Sequence, residues 1–177
     1  MAATFDEIGT VTADGTTTAI EVTGIDQTYD DLQVILEFFI ADSGAVATSY
    51  VLVNGDTATS TYNSDSMWLD GSGSYTYQED YNSFQGWRLM NSPTNGGSGT
   101  PYYWGNVIID MMQYTATRTK AFIVRNCTFN EVGTNSAMGA AGLGYNNTAA
   151  ISSIKLSTSA GTIGSGSTIT VYGITNS

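Results

Sequence analysis

The sequence predicts an all-β fold, a single antiparallel β-sandwich of jelly-roll type, on three observations. Charged residues make up only 12% of the chain while apolar ones reach 41%; Thr, Ser, Asn, Gly and Tyr replace the missing charge, a composition that favours strands over highly charged disorder. The run from Tyr29 to Ala41 alternates, with Leu32, Val34, Leu36, Phe38 and Ile40 on one face and Gln33, Ile35, Glu37 and Phe39 on the other. The run from Ala150 to Ile174 is rich in β-branched residues and needs neighbouring strands to cover it.

In chain order, short runs around Ile8 to Val11 and Thr17 to Val22 flank Asp14-Gly15, a dipeptide suited to a tight turn, and read as edge strands. The long strand from Tyr29 follows; as a helix it would carry apolar side chains all round. Asp42-Ser43-Gly44 turns the chain into Val46 to Val53, and Asn54-Gly55-Asp56 turns it again. Residues 57–86 are polar and aromatic, an expected elaborated loop with short strand pieces such as Tyr75 to Gln78. Trp87 to Met90 returns to strand before the Gly/Ser/Pro loop Asn91 to Pro101; residues 57–101 together form the elaborated region of the domain. Tyr102 to Tyr114 and Lys120 to Asn130 alternate strongly. Gly133 to Asn147 is expected to be a small, flexible connection, because Gly139, Gly142 and Gly144 among alanines offer little side chain to pack. It leads into a closing hairpin, Ile151 to Leu156 and Ile169 to Ile174, joined by Ser159 to Gly166. About eight to ten strands, no ordinary helix and no repeat period point to two packed sheets.

At 177 residues the chain suits one well-buried domain. Sixteen acidic and five basic residues give a net charge of −11. That charge repels phosphate backbones, and Arg88, Arg118, Lys120, Arg125 and Lys155 form no cluster, so nucleic acid is a poor partner. No run approaches a membrane span and the N-terminal residues show no signal pattern. The lone Cys127, in AFIVRNCTF, excludes an intrachain disulfide and reads as a small core residue.

The chain has no histidine, so a histidine-dependent triad is excluded, and one cysteine cannot complete a zinc site. Gly96-Gly97-Ser98-Gly99 lacks the Lys and the helix of a phosphate loop. Asn63, Asp65, Asp70, Glu79 and Asp80 could supply oxygen ligands to calcium, yet their spacing is not that of an EF-hand and a solvated acidic loop is preferred. A glycosidase needs only two carboxylates; Glu37 and Asp110 qualify in type but lie inside strands, where one solvent-facing carboxylate is ordinary. Asn126-Cys127-Thr128 and Asn146-Asn147-Thr148 match the glycosylation sequon, which matters only in a secreted protein. No catalytic residue, metal or cofactor is therefore expected. The aromatics Trp68, Tyr75, Tyr77, Tyr81, Phe84 and Trp87, close together in polar sequence, resemble a subunit-contact or sugar-stacking surface. They also suit a satellite core under a long loop; packing or subunit contact is preferred over ligand binding.

The segments Tyr29-Asp30-Asp31-Leu32-Gln33-Val34, Val53-Asn54-Gly55-Asp56-Thr57 with Tyr62, Val107-Ile108-Ile109-Asp110 with Tyr114 and Lys120, Ala150-Ile151-Ser152-Ser153-Ile154, and Gly166-Ser167 with Val171-Tyr172-Gly173-Ile174 carry a resemblance, in the same order along most of the chain. They resemble a family of small virion proteins of tailed bacteriophages, frequent in phages of marine bacteria and cyanobacteria. The resemblance implies a jelly-roll-like structural module on the particle exterior, a capsid decoration protein or a tail-fibre or appendage module. It implies no enzyme and no catalytic residues. The expected partners are the major capsid protein or tail proteins and further copies of the chain, as a homotrimer or other symmetric assembly. The expected location is the virion, on the head rather than the tail, after synthesis in the host cytoplasm.

Overall fold

Strand-period alternation becomes two packed antiparallel sheets. The computed structural model describes residues 4–41, 48–70, 75–81, 85–89, 103–130 and 136–176. Its strands are β1 (Thr4–Thr12), β2 (Ala19–Thr23), β3 (Asp31–Phe38), β4 (Ile40–Ala41), β5 (Ser49–Val53), β6 (Tyr62–Asp70) and β7 (Tyr75–Tyr81). They continue with β8 (Trp87–Leu89), β9 (Tyr103–Met112), β10 (Lys120–Asn130), β11 (Ser136–Tyr145), β12 (Ser153–Thr158), β13 (Thr162–Ile163) and β14 (Thr168–Thr175). The large sheet is ordered β1-β14-β3-β9-β10-β11-β6-β7, the small one β2-β12-β5-β8, and β13 pairs with β4 at a corner. The only helix among the described residues is one 3-10 turn, Thr59–Thr61.

The core lies between the sheets. Leu32, Val34, Leu36, Phe38 and Ile40 are fully buried, as their shared face predicts. They meet inward residues of the small sheet such as Val51, Val53, Ile154 and Leu156, also fully buried. β1 and β2 are edge strands as expected, but of different sheets, so Asp14-Gly15 is a corner between layers rather than a hairpin turn. The Asp14 carboxylate accepts from the Thr16 amide and hydroxyl, both at 2.8 Å, and these bonds hold its carboxyl below the usual range. At Asn54-Gly55 both residues are left-handed, φ 54° and 65°, and the Asp56 amide donates to the Val53 carbonyl at 2.9 Å. The Asn54 side chain then fixes the approach to β12, donating to the Ala150 carbonyl at 2.8 Å and accepting from the Ser152 amide at 2.7 Å.

Four expectations are corrected. Ile151 to Leu156 and Ile169 to Ile174 do not form a hairpin: β12 pairs with β2 and β5 in the small sheet, β14 with β1 and β3 in the large one. Both strands point their apolar residues at one core from opposite sides, and alternation cannot distinguish that from pairing. Residues 57–86 are not mainly loop, because β6 and β7 form a regular antiparallel pair extending the large sheet. The glycine-alanine segment is β11, a ten-residue strand between β10 and β6. Cys127 is exposed rather than buried; its neighbours Asn126 and Thr128 take the inward parity. The expected loop Asn91 to Pro101 and the turn Asp42-Ser43-Gly44 lie outside the described residues.

Candidate functional site

The inner face of the large sheet packs against the small sheet through the core, so the face most open to contact is the outer one. Strand register fixes what stands side by side there. One row runs Ile35, Ile108, Arg125, Ala140, Met67, Tyr77 across β3, β9, β10, β11, β6 and β7. The next row runs Glu37, Asn106, Cys127, Met138, Leu69. Met67, Tyr77 and Met138 are each exposed by 60% or more.

Between these rows the sheet surface sinks into an open groove of about 620 Å³. The cause is Ala140 of β11, an outward position that presents almost no side chain, next to the longer Met138 of the same strand. β6 on one side and β9 on the other carry longer apolar groups, Met67, Leu69 and Ile108, which form the walls. The inward position Gly139 is small for another reason. A Cβ there would stand 2.9 Å from the Met67 carbonyl oxygen, 3.2 Å from Trp68 Cβ and 2.7 Å from Asn126 Oδ1. The strand is thus tailored on both faces.

At the groove's flank Arg125 Nη2 pairs with Asp110 Oδ2 at 2.8 Å, and Gln33 Nε2 donates to Asp110 Oδ1 at 2.8 Å. This ion pair is solvent-facing and contributes at most about 1 kcal/mol. It also explains Asp110, which is held between an amide and a guanidinium. The other bases are engaged as well. Lys155 pairs with Glu21 at 3.0 Å, Arg118 donates to the Gln113 side chain, and Arg88 has a partner too. Lys120 is buried, with Nζ donating to the carbonyls of Arg118, Asn147 and Ala149 at 3.1, 3.2 and 2.8 Å. Burial pulls its ammonium pKa down.

The sequence-predicted contact aromatics do not gather on one surface. Trp87 is corrected outright: it is 1% exposed, with its indole N–H donating to the Gly144 carbonyl at 2.9 Å. It makes edge contacts with Tyr62 and Phe122 at 5.4 and 5.6 Å between centroids. A residue packed this way cannot stack on a sugar. Trp68 has the inward parity of β6 and is half-buried, with part of it bordering the groove. Tyr77 does face outward, its hydroxyl donating to Glu79 Oε1 at 2.7 Å. Tyr75 and Tyr81 stand opposite Leu69 and Asn63 in the ladder; their side chains, like those of Asp70 and Asp80, and Phe84 altogether, lie outside the described residues. Glu79 stands opposite Asp65. Among the described residues no three His, Cys, Asp or Glu side chains are arranged to hold a metal ion.

Met67, Ile108, Cys127 and Met138 escaped sequence reasoning. Their signal was the apolar residue at the off-phase position of a strand already apolar in phase, as in Val107-Ile108-Ile109. The buried polar groups at the opposite end of the sandwich serve the fold. Tyr62 Oη accepts from the Val53 amide at 3.2 Å and donates to the Asp56 carbonyl at 2.9 Å. Burial raises the pKa of Tyr62, and pushes that of Tyr145 up to about 12. No protein-family model matches the chain, and a search of curated proteins found no match.

Proposed function

We propose that the chain is a non-enzymatic structural protein of the exterior of a tailed-bacteriophage particle, a capsid decoration protein that docks through the outer face of its large sheet. The observation that carries this reading is the exposed apolar surface around the groove, with Met67, Met138 and Tyr77 turned to solvent on one sheet face. Exposed apolar surface of this kind marks contact with another macromolecule. The resemblance at Val53-Asn54-Gly55-Asp56-Thr57 and Val171-Tyr172-Gly173-Ile174 supplies the setting, a phage particle. The mechanism is mass action: each copy that buries this face against the assembled shell, and not against free subunits, shifts the equilibrium toward the shell. The major capsid protein is the proposed partner, and symmetric association of copies, as a trimer, covers the sheet edges.

The test is to mix the purified chain with expanded capsids lacking it, then sediment and image them. The expected result is binding in a ratio set by capsid symmetry, density on the head, and capsids that survive higher temperature. Failure to bind heads, or density confined to the tail, overturns it. Density on the tail favours the second reading, a fibre or appendage module binding host glycans, which now leans on Tyr77 because Trp87 is buried.

A further inference from the structure

We infer that the groove over β11 takes an extended segment of another protein, apolar in its centre and flanked by lysine or arginine, rather than a second copy of this chain. The inference rests on the contact role just proposed for the outer face and adds the chemistry of the occupant.

Shape and charge carry it. The trough is floored by Ala140 and walled by Met67, Leu69 and Ile108, so it accepts a few medium apolar side chains, and unbranched methionines let the walls adapt to their shape. Its surroundings are acidic. Glu37 is exposed beside Asn106 at one end, and Glu79 follows Tyr77 at the other. Arg125 is the cation at the groove, and Asp110 neutralises it. None of the other bases lines the groove, so among the described residues the groove offers a second copy bearing the same acidic rim no cation beyond the neutralised Arg125. Two copies, each of charge −11, would bring like charges together around the apolar contact. A segment with basic flanks instead gains attraction on both sides of the apolar centre.

Cys127 lines the groove, is exposed, and is the chain's single cysteine, which makes its alkylation rate a direct reporter of occupancy. The probe is the peptide Lys-Lys-Leu-Thr-Met-Thr-Leu-Lys-Lys, compared with a version carrying Glu for each Lys and one carrying Ser for Leu and Met. The expected result is saturable slowing of iodoacetamide alkylation, about fivefold or more, by the Lys-flanked apolar peptide alone, weakening as salt is raised. Met138→Ser should weaken that protection about tenfold, the scale of one lost apolar side chain; Glu37→Gln should weaken it about two- to fivefold, the scale of one exposed charge contact. Both positions are exposed, and circular dichroism checks that both variants fold. No protection by the Lys peptide, or equal protection by the Glu or Ser version, overturns the inference. So does alkylation that slows with protein concentration alone, the signature of a second copy. The assay needs no capsid: peptide binding without capsid binding sinks only the particle reading, and the converse sinks only this one.

Discussion

The indole of Trp87 sits among Tyr62, Phe122 and Tyr145, with its N–H satisfied by the Gly144 carbonyl across the sandwich. It therefore ties the short strand β8 to the large sheet. Trp87→Ala should cost about 3–5 kcal/mol, the range for emptying a large aromatic site, read as a lower urea midpoint with an unchanged slope. Its burial was legible in Trp87-Arg88-Leu89, where a polar residue separates two apolar ones. The polar sequence before it, rich in Tyr and Ser, hid that pattern. The buried tyrosines make a second prediction. Tyr62, Tyr114 and Tyr145 all have pKa values raised above the ordinary 10.0, chiefly by burial. A raised folded pKa means the folded state holds its protons longer, so the contribution to stability is full below pH 10 and is lost as pH rises through the folded values. Lys120, lowered from 10.5, acts oppositely, its stability term rising with pH up to that value. Above pH 10.5 the Lys120 contribution no longer grows while that of these tyrosines is being lost, so stability should fall. Tyrosinate absorbance near 295 nm should then show a late class of tyrosines that ionises together with loss of the near-UV circular dichroism. If those three titrate near pH 10 in the folded protein, the packing described for them is wrong.

At the scale of the element, β11 separates composition from conformation. Its glycines and alanines argued for a flexible connection, yet it sits inside the large sheet because both neighbours supply the bulk it lacks. The two glycines of opposite parity should respond in opposite ways to one added methyl. Gly139→Ala drives a Cβ against the Met67 carbonyl and Asn126 and should lower stability by about 1–3 kcal/mol. Gly142→Ala meets nothing within 4 Å and should stabilise by about 0.4–1 kcal/mol by reducing the freedom of the unfolded chain. Paired thermal melts check the contrast, and equal shifts would contradict the parity assigned to β11. The strands with strong alternation, β3, β9 and β10, were readable almost residue by residue. β6 and β7 were not, because their outward positions mix acids with Met67, Leu69 and Tyr77, and neither face reads as continuously apolar.

For the whole molecule, the sandwich was legible and its wiring was not. Alternation says that a strand has a buried face; it does not say which sheet supplies that strand, which is why β12 and β14 looked like a hairpin. The same limit applied to the contact surface. Its apolar rows exist only once β3, β9, β10, β11, β6 and β7 stand side by side, and they join residues far apart in the chain. The position of β14 matters beyond the static structure. It lies between β1 and β3, so β1 has no partner in the large sheet until the strand near residue 175 is available. During synthesis β1 and the outer edge of β3 must wait, unpaired and open to wrong pairing, and the large sheet closes only after the ribosome has delivered nearly all of the described chain. Such late, non-local closure makes for slow folding and for crowding-sensitive yields. A chain cut short before β14 would lose two ladders at once rather than fray at one edge.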